Sequence, residues 1–148
     1  MAQSLSKVYL HIIFSTKHFE SIISNQIARE VQAYIVTTLS KKGVYTEEIF
    51  INPDHLHILC VLPRTMTIAQ LVSAIKTPSS VIIKQKGIQN FSWQDGYASF
   101  SVSSSRVHSV KKYIINQPEH HKQNTFKEEL RLFFKEYDIE FDERYVWD

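Results

Sequence analysis

"VYTEEIFINPDHLHILCVLP", residues 44–63, holds two runs of β-branched, aromatic and aliphatic residues on either side of Pro53 and Asp54. Runs of this kind, cut by a proline and an aspartate, read as two strands, 44–52 and 55–62, paired antiparallel in a hairpin-like turn. The second run carries His55 and His57 inside an otherwise apolar strand. Residues i and i+2 of a strand point the same way, so both imidazoles go to one face while Leu56, Ile58 and Cys60 go to the other. Two nitrogens so placed make a metal chelate, and the same pair also fits two histidines at a solvated strand end.

The neighbouring sequence supplies the rest of a sheet. "KVYLHIIFS", residues 7–15, reads as a strand with Tyr9, His11 and Ile13 on one face and Val8, Leu10, Ile12 and Phe14 on the other. From Ser21 to Lys42, apolar residues at Ile23, Ile27, Val31, Tyr34, Ile35 and Leu39 recur every three to four positions, predicting an amphipathic helix that Gly43 stops. Thr67 is the expected N-cap of a helix through "IAQLVSAIK", which Pro78 is expected to kink or break before "SSVIIKQK". "YASFSVS", residues 97–103, predicts a fourth strand, "SRVHSVKKYIINQ" a helix ended by Pro118, and Thr125 with Glu128 a capping box opening a last helix to about Tyr137. Strand, helix, strand, strand, helix, strand is the ferredoxin-like βαββαβ order. The expected fold is a two-layer α+β domain with an antiparallel sheet, helices on one face and an extra C-terminal helix.

The chain has 148 residues, the size of one domain, and residues 1–148 read as a single unit without a linker. With 43% hydrophobic and 22% charged residues, three glycines and four prolines, the composition is that of an ordinary globular protein. A formal charge of +2 says little about partners, because phosphate binding depends on where basic residues cluster. The single cysteine, Cys60, has no partner in the chain and sits among apolar residues, which suits a reducing compartment such as the cytoplasm. No apolar run is long enough for a signal-peptide core or a membrane span.

Further metal donors are to be sought at a fixed spacing on another element. Tyr113 and Gln117 stand four apart in the helix before Pro118, which puts a phenol and an amide on one helical face. Read alone, the pair also fits an amphipathic core residue followed by a surface amide. "PDHLHIL" and "YIINQPEHH", together with "IKTPSSVIIK", "FSWQDGYASFSVS" and "DERYVWD", closely resemble the single-tyrosine (Y1) transposases of the IS200 type, members of the HUH endonuclease superfamily. The resemblance runs over nearly the whole chain.

The resemblance implies that His55, His57 and the Gln117 oxygen hold a divalent ion, magnesium or manganese, and that Tyr113 is the nucleophile. Neutral ligands would leave the ion's double charge to act on a phosphate, and manganese accepts nitrogen donors more readily than magnesium. The implied activity is a metal-dependent DNA transposase that cleaves and rejoins single-stranded DNA at insertion-element ends through a 5′-phosphotyrosine. The phosphotyrosine keeps the bond energy, so joining needs no ATP, in keeping with a sequence that has no Walker-type loop. The implied partners are single-stranded DNA with a hairpin at the element ends and a second copy in a homodimer, in which Tyr113 serves either its own histidine pair or its partner's. Arg64, Lys76, Lys84, Lys86, Ser104, Arg106 and Lys112 are candidate DNA contacts, and each lysine also fits an exposed solubilising charge. His11, His18, His108, His120 and His121 are left outside the expected site. Family members often carry an arginine shortly after "STK", where this chain has "STKHFE". The alternative is a catalytically silent protein that binds DNA hairpins and descends from such a transposase; loss of a motif residue would favour it, and His55, His57, Tyr113 and Gln117 are all present.

Overall fold

A computed structural model describes residues 2–148. Four strands, β1 (Tyr9–Ser15), β2 (Thr46–Ile51), β3 (His55–Val61) and β4 (Ala98–Val102), form one sheet in the order β2-β3-β1-β4, and every neighbouring pair is antiparallel. Helix α1 (Asn25–Lys41) links β1 to β2, and α2 (Ile68–Gln85) links β3 to β4. This is the expected βαββαβ arrangement. After β4 come a 3-10 turn (Ser104–Arg106), α3 (Val107–Ile115), the single turn α4 (Gln117–His120) and α5 (Phe126–Glu136).

Strand alternation divides the interior in two. Leu10, Ile12 and Phe14 of β1 and Leu56, Ile58 and Cys60 of β3 pack with α1 and α2 in the main core. On the opposite face Ile13 and Phe100 meet Phe126, Leu130 and Phe134 of α5, while Leu59 and Val102 meet Ile114 of α3. The later helices thus add a second cover to the expected sandwich, and it lies over the face that carries the histidines. Each fully buried aliphatic or aromatic side chain contributes about 1.5–3 kcal/mol, so both faces hold the sheet in place.

Three local expectations are corrected. Helix α1 starts at Asn25 rather than Ser21: the amides of Ile22 and Ile23 donate to the Pro53 carbonyl, which ties this segment to the β2–β3 turn, and Ser24 caps the helix by accepting from the Ile27 amide. At the other end Gly43 (φ +80°) permits a Schellman closure, with Val44 N–H donating to Leu39 C=O and Gly43 N–H to Ser40 C=O. Helix α2 runs unbroken through Pro78. Proline removes one amide there, yet Leu71, Val72 and Ile75 before it and Ser79 and Ile83 after it are buried in the same interface, and that packing keeps the axis continuous. The tyrosine helix, in contrast, is broken at Asn116, so Tyr113 lies in the last turn of α3 and Gln117 begins α4.

Cys60 is fully buried, and burial pushes its thiol up to about 12. At pH 8 only about one thiol in 10,000 is then thiolate, and the thiolate is the reactive form. A maleimide reagent should label Cys60 only once the protein is unfolded; full labelling of the native protein within minutes would contradict the core described here.

Candidate active site

The site grows from the two central strands. Antiparallel register sets His57 of β3 opposite Ile13 of β1, and His55 opposite Ser15, so His55, His57 and His11 project from one face. His55 and His57 are fully buried under α3, α4 and α5, which excludes the solvated strand end. His11 Nε2 lies 2.8 Å from His57 Nδ1, and Asp54, from the turn before β3, lies 2.6 Å from His55 Nδ1.

Glu129 of α5 stands at the centre. Its Oε1 is 3.0 Å from His57 Nε2, 3.5 Å from His55 Nε2 and 3.4 Å from His121 Nε2. Its Oε2 accepts the Tyr113 hydroxyl and, at 3.1 Å, the Gln117 side-chain amide. Gln117 Oε1 accepts from Asn52 Nδ2 at 3.2 Å and lies 2.9 Å from His121 Nε2. One chain therefore brings together all four residues read from the sequence, with the Tyr113 ring 5.9 Å from that of His57 and stacked on His120 at 4.4 Å. The ligand atoms of His55, His57, His121 and Glu129 lie within 4.8 Å of one another, a set able to hold a metal ion.

The electrostatics follow from burial. Desolvation pushes the Glu129 carboxyl up, but His57, His121 and His55 outweigh it and hold the group well below the usual carboxylate range. Desolvation lowers His57 and, with His57 beside it, His11. Burial also acts downward on His55, where the Asp54 hydrogen bond and Glu129 prevail and raise it. Burial, then the Glu129 charge, raises Tyr113, so its hydroxyl keeps its proton in this arrangement.

The candidate DNA contacts separate into two groups. Ser104, Arg106 and Lys112 are exposed on the segment that leads into and carries Tyr113. Arg64, Lys76, Lys84 and Lys86 belong to α2 and its flanks, on the opposite face of the sheet. Lys76 is occupied internally, donating to the carbonyls of Gln94, Asp95 and Gly96, and Lys86 pairs with Glu30. Trp93 is a core residue whose indole N–H donates to Ser79.

His121, Glu129, Asp54 and His11 are the members that sequence reading missed. Two signals for them exist. His121 follows Gln117 by four, and Glu129 falls on the apolar stripe of α5 with Phe126, Leu130 and Phe133, where an acid needs partners.

The family model described as "Transposase IS200 like" matches residues 4–117, and the chain belongs to that family of DNA transposases. A protein from Deinococcus radiodurans R1 assigned as a transposase shares the fold with a TM-score of 0.63 and 20% identity, over 79% of this chain and 98% of that one. A REP-associated tyrosine transposase bound to a REP hairpin has a TM-score of 0.59 and 14% identity, over 82% of this chain and 74% of that one. No curated protein matches the sequence. His121 and Glu129 lie beyond the matched residues.

Proposed function

We propose that this protein cleaves and rejoins single-stranded DNA at insertion-element ends, with Tyr113 as nucleophile and a 5′-phosphotyrosine as the covalent intermediate. The observation that carries the reading is the convergence of Tyr113, His55, His57 and Gln117 on one buried carboxylate, Glu129. His55, His57 and Gln117 are the proposed ligands of a divalent ion, magnesium or manganese. Three imidazoles and a carboxylate gathered at one point fit such an ion, which when bound supplies positive charge to the scissile phosphate.

The chain's own residues account for positioning and proton handling. Asp54 and His11 fix the rings of His55 and His57 through their Nδ1 atoms. The Tyr113 oxygen bonds to phosphorus as it gives up its proton, the P–O3′ bond breaks, and the departing 3′ oxygen takes up one proton from water to leave as a 3′-hydroxyl. The phenolic proton has an acceptor already in contact, Glu129 Oε2. A DNA 3′-hydroxyl attacking the phosphotyrosine reverses these bonds and joins strands without ATP.

Hairpin-bearing single-stranded DNA is the proposed substrate, in line with the hairpin bound by the structurally similar REP-associated protein. Ser104, Arg106 and Lys112 are the proposed backbone contacts nearest the nucleophile, with Arg64 and Lys84 exposed on the other face. A homodimer belongs to the same reading, each subunit carrying a whole site. Among the described residues no helix is long and apolar enough to cross a membrane. The test is incubation of the protein with end-labelled oligonucleotides spanning the element ends, with magnesium or manganese. Cleavage leaving a free 3′-hydroxyl on one fragment and protein on the other's 5′ end is expected. Tight hairpin binding with no cleavage in either metal would favour the catalytically silent descendant.

A further inference from the structure

Two cavities flank the loop between α4 and α5. One, of about 290 Å³, is bordered by Tyr113, His120, Asn124 and Glu129 and so contains the proposed nucleophile. The other, of about 350 Å³, opens between that loop and the β2–β3 turn, with Ser21, Asn52, Asp54, Asn124 and Phe126 in its wall. Asn124 borders both, so a single residue separates them. The second cavity also adjoins the site through its wall. Asp54 Oδ1 is 2.6 Å from His55 Nδ1, and His55 Nε2 is 3.5 Å from Glu129 Oε1, so one imidazole ring stands between Asp54 and the carboxylate that holds Tyr113.

The wall of this second cavity has a definite chemistry. Phe126 gives it an apolar side, buried against His55 with ring centroids 4.6 Å apart. Asp54 uses Oδ1 on His55, and its Oδ2 has no side-chain partner among the described residues. Asn52 donates its amide nitrogen to His55 Nε2 and Gln117 Oε1, and its Oδ1 accepts no hydrogen bond among the described residues. Lys122 also borders the cavity but is exposed and paired with Glu119 at 3.1 Å. Spare acceptors beside a carboxylate repel a phosphate and attract N–H groups. The volume, at the low end of the usual range of about 300–1,000 Å³ for ligand cavities, suits one base turned out of a single strand.

We propose that this cavity is a base-reading subsite, which takes the base next to the scissile phosphate and selects guanine, adenine or cytosine over thymine, with Asp54 as the reading residue. The exocyclic amino group of the favoured bases donates to the open carboxylate oxygen, the pairing that aspartate makes with cytosine N4, whereas thymine turns carbonyl oxygens toward the same charge. The inference rests on the proposed function for single-stranded DNA as substrate; the cavity and its open acceptors stand independently of it.

The test uses the full chain with manganese and a series of hairpin-bearing oligonucleotides that differ only in the nucleotide on either side of the scissile phosphate. Single-turnover cleavage and binding are both measured. Thymine at one of the two positions should slow cleavage by about 10-fold or more, within the range of a specific base contact. Asp54→Asn should bring the ratio between the favoured base and thymine close to one, because an amide offers thymine a donor as well as an acceptor. Any general loss of rate through His55 cancels in that ratio, so a merely orienting role for Asp54 would leave it unchanged. Equal rates with all four bases at both positions, a preference for thymine, or a preference that survives Asp54→Asn would overturn the subsite and leave the transposase reading standing. If the protein binds the series without cleaving it, the same base preference read in the affinities would support this inference while contradicting the proposed function. Failure to bind or cleave any of the strands would overturn both.

Discussion

Tyr113→Phe should lower the rate of strand cleavage by at least roughly 10⁴-fold, the order of loss expected when a covalent nucleophile is removed. The change deletes one oxygen. The ring keeps its stack on His120 and its edge contacts with His57 and Phe133, so α3 should stay in place. Glu129 Oε2 loses one of its two donors but retains the Gln117 amide. Hairpin binding should therefore stay within a few-fold of the unaltered protein, separating chemistry from recognition. A single-turnover assay on labelled oligonucleotide measures the loss, and cleavage at the unaltered rate would remove Tyr113 from the reaction.

His57→Ala is expected to have the second largest effect, because it acts on both chemistry and stability. It removes a proposed metal donor at the centre of the site, so metal-dependent cleavage should fall by at least about 10²-fold, the upper part of the range for even an outer-shell partner. It also strands two buried groups: His11 loses its partner at 2.8 Å, and Glu129 loses the contact at 3.0 Å that is the largest of those holding it ionised. An unsatisfied buried donor or acceptor costs about 1–3 kcal/mol. Urea unfolding of the metal-free protein should show a lower midpoint with an unchanged slope. A variant as stable and as active as the original would mean that His57 is neither ligand nor structural partner.

The sheet and the two helices of its first layer were legible because their signals are local. Alternation in residues 44–63 assigns Leu56, Ile58 and Cys60 to one face and the histidines to the other, and the three-to-four spacing of α1 assigns Val31, Ile35 and Leu39 to the core. Errors arose where tertiary contacts override local rules. Pro78 reads as a break, but a buried interface on both sides of it holds α2 together. Ser21 to Ser24 read as helix, but the Pro53 carbonyl takes the amides of Ile22 and Ile23 within that stretch.

The site was legible in part for the same reason. His55, His57, Tyr113 and Gln117 stand in short motifs of fixed spacing. Glu129 and His121 do not: Glu129 reads as one more acid in the first turn of α5, next to the capping Glu128, and only the packing of α5 across the sheet carries it to His57, 72 positions away in sequence. His11 shows its strand face in the sequence, but its contact with His57 depends on the β1–β3 register, which no local pattern sets.

The most direct test of the account is to quench the reaction of the protein with hairpin-bearing single-stranded DNA, digest the denaturation-resistant adduct with protease and nuclease, and locate the modified residue by mass spectrometry. The account predicts a nucleotide linked through its 5′-phosphate to Tyr113, and to no other residue. A 5′-phosphate fragment released without any protein attached, or an adduct at a different side chain, would contradict it.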